Sequence, residues 1–177
     1  MTGASIKFTL DDAGFNTGVQ KLGGVLRTGT IRAIGQALVE TTTQRFETAT
    51  DPMGQKWKAL LPAYAAIKKG PGILRVKGMA GGLQSSLTFS TSGTTITIGS
   101  NKVYAAVHQF GATIKPVKAK ALAFRLGAVG PRGGKSSVLV LARSVTIPQR
   151  PYLGFGPKDQ LAVMEQIDTA IRLAFSS

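Results

Sequence analysis

Between Pro52 and Lys158 the chain contains not one Asp or Glu, while the same span holds 16 of its 22 Lys and Arg residues. The flanks carry the remaining six cations against all eight acids, so they are nearly neutral and the middle is wholly basic. Like charges at this density repel one another in any compact state, and at long range they attract polyanions. An anionic surface therefore faces this region: nucleic acid, an acidic partner protein, or merely solvent and counterions.

The same purge closes off chemistry. Paired carboxylates for glycosidic hydrolysis and carboxylate cages for two metals need acids close together. A triad built on the one histidine, His108, would have to borrow its orienting acid from a terminal helix. There is no cysteine, which removes disulfides, thiolate metal sites and cysteine nucleophiles. No catalytic, cofactor-binding or metal-binding residue is expected, and the chain reads as a non-enzyme.

At 177 residues and 43% hydrophobic composition the chain suits one core, so residues 1–177 are read as one α+β domain. No apolar run is long enough to span a bilayer and no signal peptide is legible, so no membrane partner is expected.

Local periodicity sketches the elements. SIKFTL alternates Ile6, Phe8 and Leu10 as a short strand. A helical period runs from about Thr17 and strengthens after Gly29, with Ile31, Ile34, Leu38, Thr42 and Phe46 on one buried face. Asp51 and Pro52 have the chemistry of a helix start, and Pro62 that of its end or kink. LTFSTSGTTITIG reads as a hairpin with one apolar face, and VYAAVHQFG as about two helical turns closed by a glycine. ATIKPV and the strands 121–126 and 138–147 are expected to complete one antiparallel sheet, with a long basic hairpin arm over about 115–147. The last segment predicts an amphipathic helix with Leu161, Met164, Ile167 and Ile171 on its buried stripe.

The tip of that arm, GPRGGKSS over 130–137, has the chemistry of a loop that wraps phosphate. Its spacing argues otherwise. A phosphate loop ending in Gly134, Lys135 and Ser136 needs its leading glycine at 129, where Val129 stands, and must pass from a strand into a helix. Both flanks read as strands, so the stretch is a flexible basic hairpin tip.

Taken in order, RFETATDPMGQKWKAL, ILRVKGMAGGLQSSL, ITIGS with VYAAVHQFGA, and VTIPQRPYLGF followed by an amphipathic helix resemble the phage virion morphogenesis family, the tail completion proteins of Mu-like phages. The resemblance covers roughly residues 31–175. It implies a structural virion protein at the joint between tail and head, a neck or tail terminator ring component required to join tails to DNA-filled heads. It further implies a homo-oligomeric ring of sixfold symmetry, neighbouring neck and tail tube proteins as partners, location in the virion after assembly in the host cytoplasm, and no catalytic residues.

Two groups of candidate residues follow. Trp57, Arg150 and Tyr152 are of types favoured as core or interface anchors, and with His108, Gln109 and Phe110 they form the candidate subunit or neighbour interface. A plainer reading of the second trio has the imidazole bonded to local backbone and Phe110 packed into the core. Lys118, Lys120, Arg132 and Lys135 are the candidate contacts to DNA or an acidic partner, repeated around a ring lumen. The competing reading is a free-standing, sequence-independent nucleic-acid binding protein. Against it, aromatics are only 7% and do not interleave with the cations, and no recognition-helix pattern emerges.

Overall fold

The computed structural model describes residues 4–9, 28–66, 68, 70–76, 82–129 and 135–176, with the backbone alone at 126–129, 135–137 and 175. Along the chain these form β1 (Ala4–Thr9), α1 (Thr28–Thr48), α2 (Pro62–Ala65), a 3-10 turn at Gln84–Ser86, β2 (Leu87–Ser92), β3 (Thr95–Ser100), α3 (Ala105–Phe110), β4 (Ala112–Ile114), β5 (Leu122–Val129), β6 (Lys135–Ala142), β7 (Val145–Ile147) and α4 (Pro157–Phe175). The architecture is α+β with antiparallel pairing throughout, as the sequence predicts.

The central sheet has the order β1-β3-β2. Its register places Ile6 opposite Ile98 and Ile98 opposite Phe89, with Phe8 opposite Ile96 in the next row. Alternation along each strand puts these side chains on one face, and α1 lies across that face. The helix presents Ile31, Ile34, Leu38, Thr42 and Phe46, all buried, at the spacing that the sequence predicts. Phe46 forms the far end of the core, edge-on to Trp57 at 5.5 Å between ring centroids and tilted against Tyr152 at 5.3 Å.

Helix α4 packs along α1, and a buried ion pair sets how it sits. The Arg45 guanidinium on α1 binds the Asp159 carboxylate in the first turn of α4, and both side chains are almost fully buried. Asp159 also accepts from Thr41 Oγ1 at 2.5 Å and from the Gly156 N–H at 2.7 Å, which caps the helix. The same carboxylate thus satisfies a helix N-terminus and a buried cation.

Four expectations are corrected. The basic hairpin does not complete the central sheet: β5 and β6 form a two-stranded ribbon of their own, and β7 leaves it to pair with β4. Period-two alternation specifies a strand, not which strand it joins. Asp51 and Pro52 begin no helix; the Asp51 carboxylate accepts the Gln55 N–H at 2.8 Å in a tight turn, and Pro52 lies so close to Gly156 that a Cβ there would meet the Pro52 carbonyl at 1.9 Å. Pro62 starts α2 rather than ending a helix, at a position where its missing N–H has no intrahelical role. On α4, Leu161 and Met164 are exposed, and the inward face is Asp159 and Val163 with half-buried Ile167 and Ile171. The ion pair turns Asp159 inward, and the positions one helical turn apart from it follow. The helical period expected from Thr17 falls on residues outside those described until Thr28.

Replacing Asp159 by Ala leaves Arg45 buried without its countercharge, a change that costs about 3–5 kcal/mol in comparable buried pairs. Denaturant unfolding of Asp159→Ala is expected to show a loss of that size. Arg45→Met combined with Asp159→Leu should lose less than the two single changes added together.

Candidate functional site

Residues 150–154 lie outside any helix or strand, and their main chain is bonded largely by side chains of other elements. Gln109 on α3 accepts the N–H groups of Tyr152 and Leu153, each at 3.0 Å, and donates to the Leu153 carbonyl at 2.9 Å. Trp57 Nε1 donates to the Pro151 carbonyl at 2.8 Å. Arg45 Nη1 donates to the carbonyls of Tyr152 at 2.7 Å and Gly154 at 3.1 Å. A proline-containing segment can join a sheet ladder only poorly, and here amide, indole and guanidinium groups replace the missing strand.

The segment's own side chains point inward. Tyr152 is 0% exposed, and burial pushes its phenol up to about 12. Its hydroxyl donates to the Ala105 carbonyl at 3.4 Å. Arg150 is buried and donates to the carbonyls of Lys58 at 3.0 Å and Ala59 at 3.3 Å, while its N–H donates to the His108 carbonyl at 2.7 Å. Trp57, Gln109, Arg150 and Tyr152, expected at an interface, therefore act inside the protomer: they fasten α3 and the 57–59 strand of backbone to the 150–154 segment.

What α3 presents outward is Phe110. With Ala105 buried and Gln109 turned inward four residues on, position 110 swings to solvent, and Phe110 is 71% exposed. The expectation of a core Phe110 is overturned. Gly111 then reverses the chain at φ 74°, where a Cβ would lie 2.9 Å from the Gln149 nitrogen, and delivers it into β4. The exposed Val103, Ile114 and Val117 flank Phe110 in sequence.

His108 does not cap local backbone through Nδ1, which is buried and has no hydrogen-bond partner among the described residues. Its ring meets Tyr104 edge-on at 5.9 Å. Burial, and secondarily the Arg150 charge, hold the imidazole below its ordinary value, so it is neutral at neutral pH. His108 helps line a cavity of about 370 Å³ whose other polar walls are Lys68, Arg75, Arg150, Tyr64 and Tyr104. Lys68 Nζ is anchored to the Arg75 and Gly70 carbonyls, and burial, then the nearby Arg75 charge, lower its basicity. This cluster was not foreseen, because its members are scattered from 60 to 150 and only folding gathers them.

The third feature is the ribbon. Its strands pair from Leu122 with Ala142 to Val129 with Lys135, and Val138, Leu139 and Leu141 are exposed on it. Lys118 and Lys120 lie exposed just before β5, Lys135 opens β6, and Arg132 falls outside the described residues. Among the described residues the exposed acids, Glu40, Glu47, Glu165 and Asp168, lie on α1 and α4. No group of three side chains that could hold a metal occurs among the described residues, and no helix among them is long and apolar enough to cross a membrane.

The model of the phage virion morphogenesis family matches residues 13–172. A protein of Escherichia phage Mu, named for capsid assembly as protein G, is 28% identical over 160 residues, covering 88% of this chain and 87% of its own. The Mu-like prophage FluMu G protein 2 of Haemophilus influenzae is 27% identical over 143 residues, covering 81% of this chain and 77% of its own. No solved structure matches the chain.

Two measurements test the site's construction. Gln109→Ala strands two N–H groups and a carbonyl of the 150–154 segment, and should lower unfolding free energy by an amount on the order of 1–3 kcal/mol. For His108 the folded group titrates below its unfolded value near 6.5, so the unfolded chain binds the proton first as pH falls. Stability from keeping this ring neutral is present above 6.5 and is lost as pH drops through the folded value. Thermal midpoints recorded across that window should fall for the native protein and fall less for His108→Gln.

Proposed function

The chain belongs to the phage virion morphogenesis family, and from that premise we propose that it is a structural component of the head–tail joint, a ring that completes the tail and docks it to the DNA-filled head. Family membership assigns a role in phage assembly with other virion components. The finer reading rests chiefly on the β5–β6 ribbon. A two-stranded ribbon is marginally stable alone in water, and this one sets Val138, Leu139 and Leu141 in solvent. Consecutive exposed apolar residues on both faces of a ribbon are what a strand buried between copies or neighbours carries.

Charge supports a head-to-tail arrangement. The ribbon belongs to the acid-free span, whereas exposed carboxylates lie on α1 and α4, and Glu165 and Asp168 share α4 with the exposed Leu161 and Met164. A molecule with a strongly basic apolar arm and a nearly neutral apolar helix surface, on which Asp168 is paired with Arg172, carries two unlike surfaces. Heterologous contacts of that kind close into rings when the rotation permits. In such a ring Phe110 faces an adjoining layer, and Lys118, Lys120, Arg132 and Lys135 line the passage along which DNA moves.

The alternative is a free-standing nucleic-acid binding protein, and the net charge of +14 favours it equally. An electrophoretic shift with random duplex at near-physiological salt separates the two. Tight binding by the isolated protomer supports the alternative; weak, salt-abolished binding supports the ring.

Leu139→Ser with Leu141→Ser should leave the protomer folded, as judged by its circular dichroism and thermal midpoint, but abolish self-association in mass measurements with tail tubes. Arg132→Ala with Lys135→Ala should also fold normally and reduce the yield of joined, infectious particles. Full yield from that double variant discards the charge contact at the tip.

A further inference from the structure

The cavity beside α3 gathers positive charge with no carboxylate among its described lining residues. Lys68, Arg75, Arg150 and the titratable His108 line it together with two tyrosines. Every lining residue comes from the span without Asp or Glu, so no carboxylate is among them. Burial of cations without a countercharge is unfavourable, and two of these groups also oppose the charge of a neighbour. Arg75 acts so on Lys68, and Arg150 on His108. Against them stands the buried Nδ1 of His108, without a hydrogen-bond partner among the described residues, a ring atom that bonds an anion once the imidazole is protonated.

The remaining walls are apolar: Leu60, Leu74, Val76 and Leu83. Small-molecule pockets span about 300–1,000 Å³, and at about 370 Å³ this one is at the lower end. A ligand that satisfies both kinds of wall has a negatively charged head on a short apolar stem. Glutamate and aspartate side chains are built in that way. A DNA phosphate is not, because it is flanked on both sides by hydrophilic backbone and favours open, polar surfaces.

We propose that this cavity, lined by Lys68, Arg75, His108 and Arg150, is a carboxylate-binding site that receives an acidic side chain presented by another protein. The ligand's chemistry follows from the cavity alone. That the carboxylate arrives on a virion neighbour rests on the assembly reading above, so the test is made on the site itself and does not require assembly.

The chain has one histidine, so its imidazole signals in an NMR titration belong to His108 without ambiguity. The full-length protein is titrated with 3-phenylpropanoate, with its neutral amide, 3-phenylpropanamide, and with inorganic phosphate. The carboxylate should move the His108 midpoint upward toward 6.5 in a saturable way, and the amide should leave it in place. Arg75→Gln should weaken the carboxylate about tenfold. Lys68→Met provides a second variant should Arg75→Gln misfold, as judged by amide dispersion. A midpoint that rises with protein concentration in the absence of probe also supports the site and identifies a second copy as the carboxylate's source. No saturable shift, an equal shift with the amide, or a lower saturating concentration for phosphate than for the carboxylate overturns the proposal. If the site binds the carboxylate while the ribbon variants still assemble, the cavity survives and the ring reading fails.

Discussion

The contact between Arg45 and Asp159 fixes the relation of three parts of the molecule that are far apart in sequence. From α1 the guanidinium reaches the carboxylate at the start of α4 and, on its other edge, the carbonyls of Tyr152 and Gly154. The carboxylate in turn holds Thr41 and the Gly156 N–H. Burial by itself pulls Arg45 below its ordinary basicity, and Asp159 opposes that pull. A buried pair of this kind is weak evidence for net stability, since a hydrophobic pair of similar volume often does as well. Its contribution here is orientation. Only one rotation of α4 satisfies all the partners of Asp159, and that rotation decides which apolar residues of the helix meet α1 and which meet solvent.

The segment from Arg150 to Gly154 depends on the same arrangement. It carries two buried anchors, Tyr152 and Arg150, yet its backbone gains its bonds from Gln109, Trp57 and Arg45 rather than from a strand. Because Gln109 is committed inward, the short helix that bears it is locked in phase, and Phe110 has no inward position available. Exposure of Phe110 is thus a consequence of how the interior is bonded. The residues that resemble interface anchors by type are the internal frame, and the residue at the surface is the one beside them.

Much of this is legible in the sequence where a single element settles the matter. The buried face of α1, the hairpin of β2 and β3, the turn at Gly111 and the extent of α4 follow from periods of 3.6 and 2 and from glycine at a left-handed position. Arg45 was not legible, because a cation next to Phe46 reads as the solvent edge of a stripe until its partner, 114 residues away, is known. Asp159 did offer a signal: with Val163 and Ile167 it recurs every fourth residue, in a chain that has only eight acids. Sheet membership was not legible either, since alternation in β5 and β6 is the same whether the strands extend a sheet or stand apart. The cavity has no sequence signature beyond the acid-free span from which all its walls come.

That span bears on how a protein like this one associates. Surface charges at about 0.15 M salt are screened beyond roughly 8 Å, so long-range attraction steers partners together but supplies little of the binding energy. Affinity has to come from apolar area excluded from water, and exposed apolar residues among those described include those of the ribbon, those around Phe110, and Leu161 with Met164 on α4. Charge then decides which of these surfaces meet. Two basic ribbons repel each other, whereas a ribbon against the nearly neutral helix surface avoids that repulsion. Segregation of charge along the chain therefore disfavours contact of one ribbon with another and favours a less basic surface as the partner of its apolar residues.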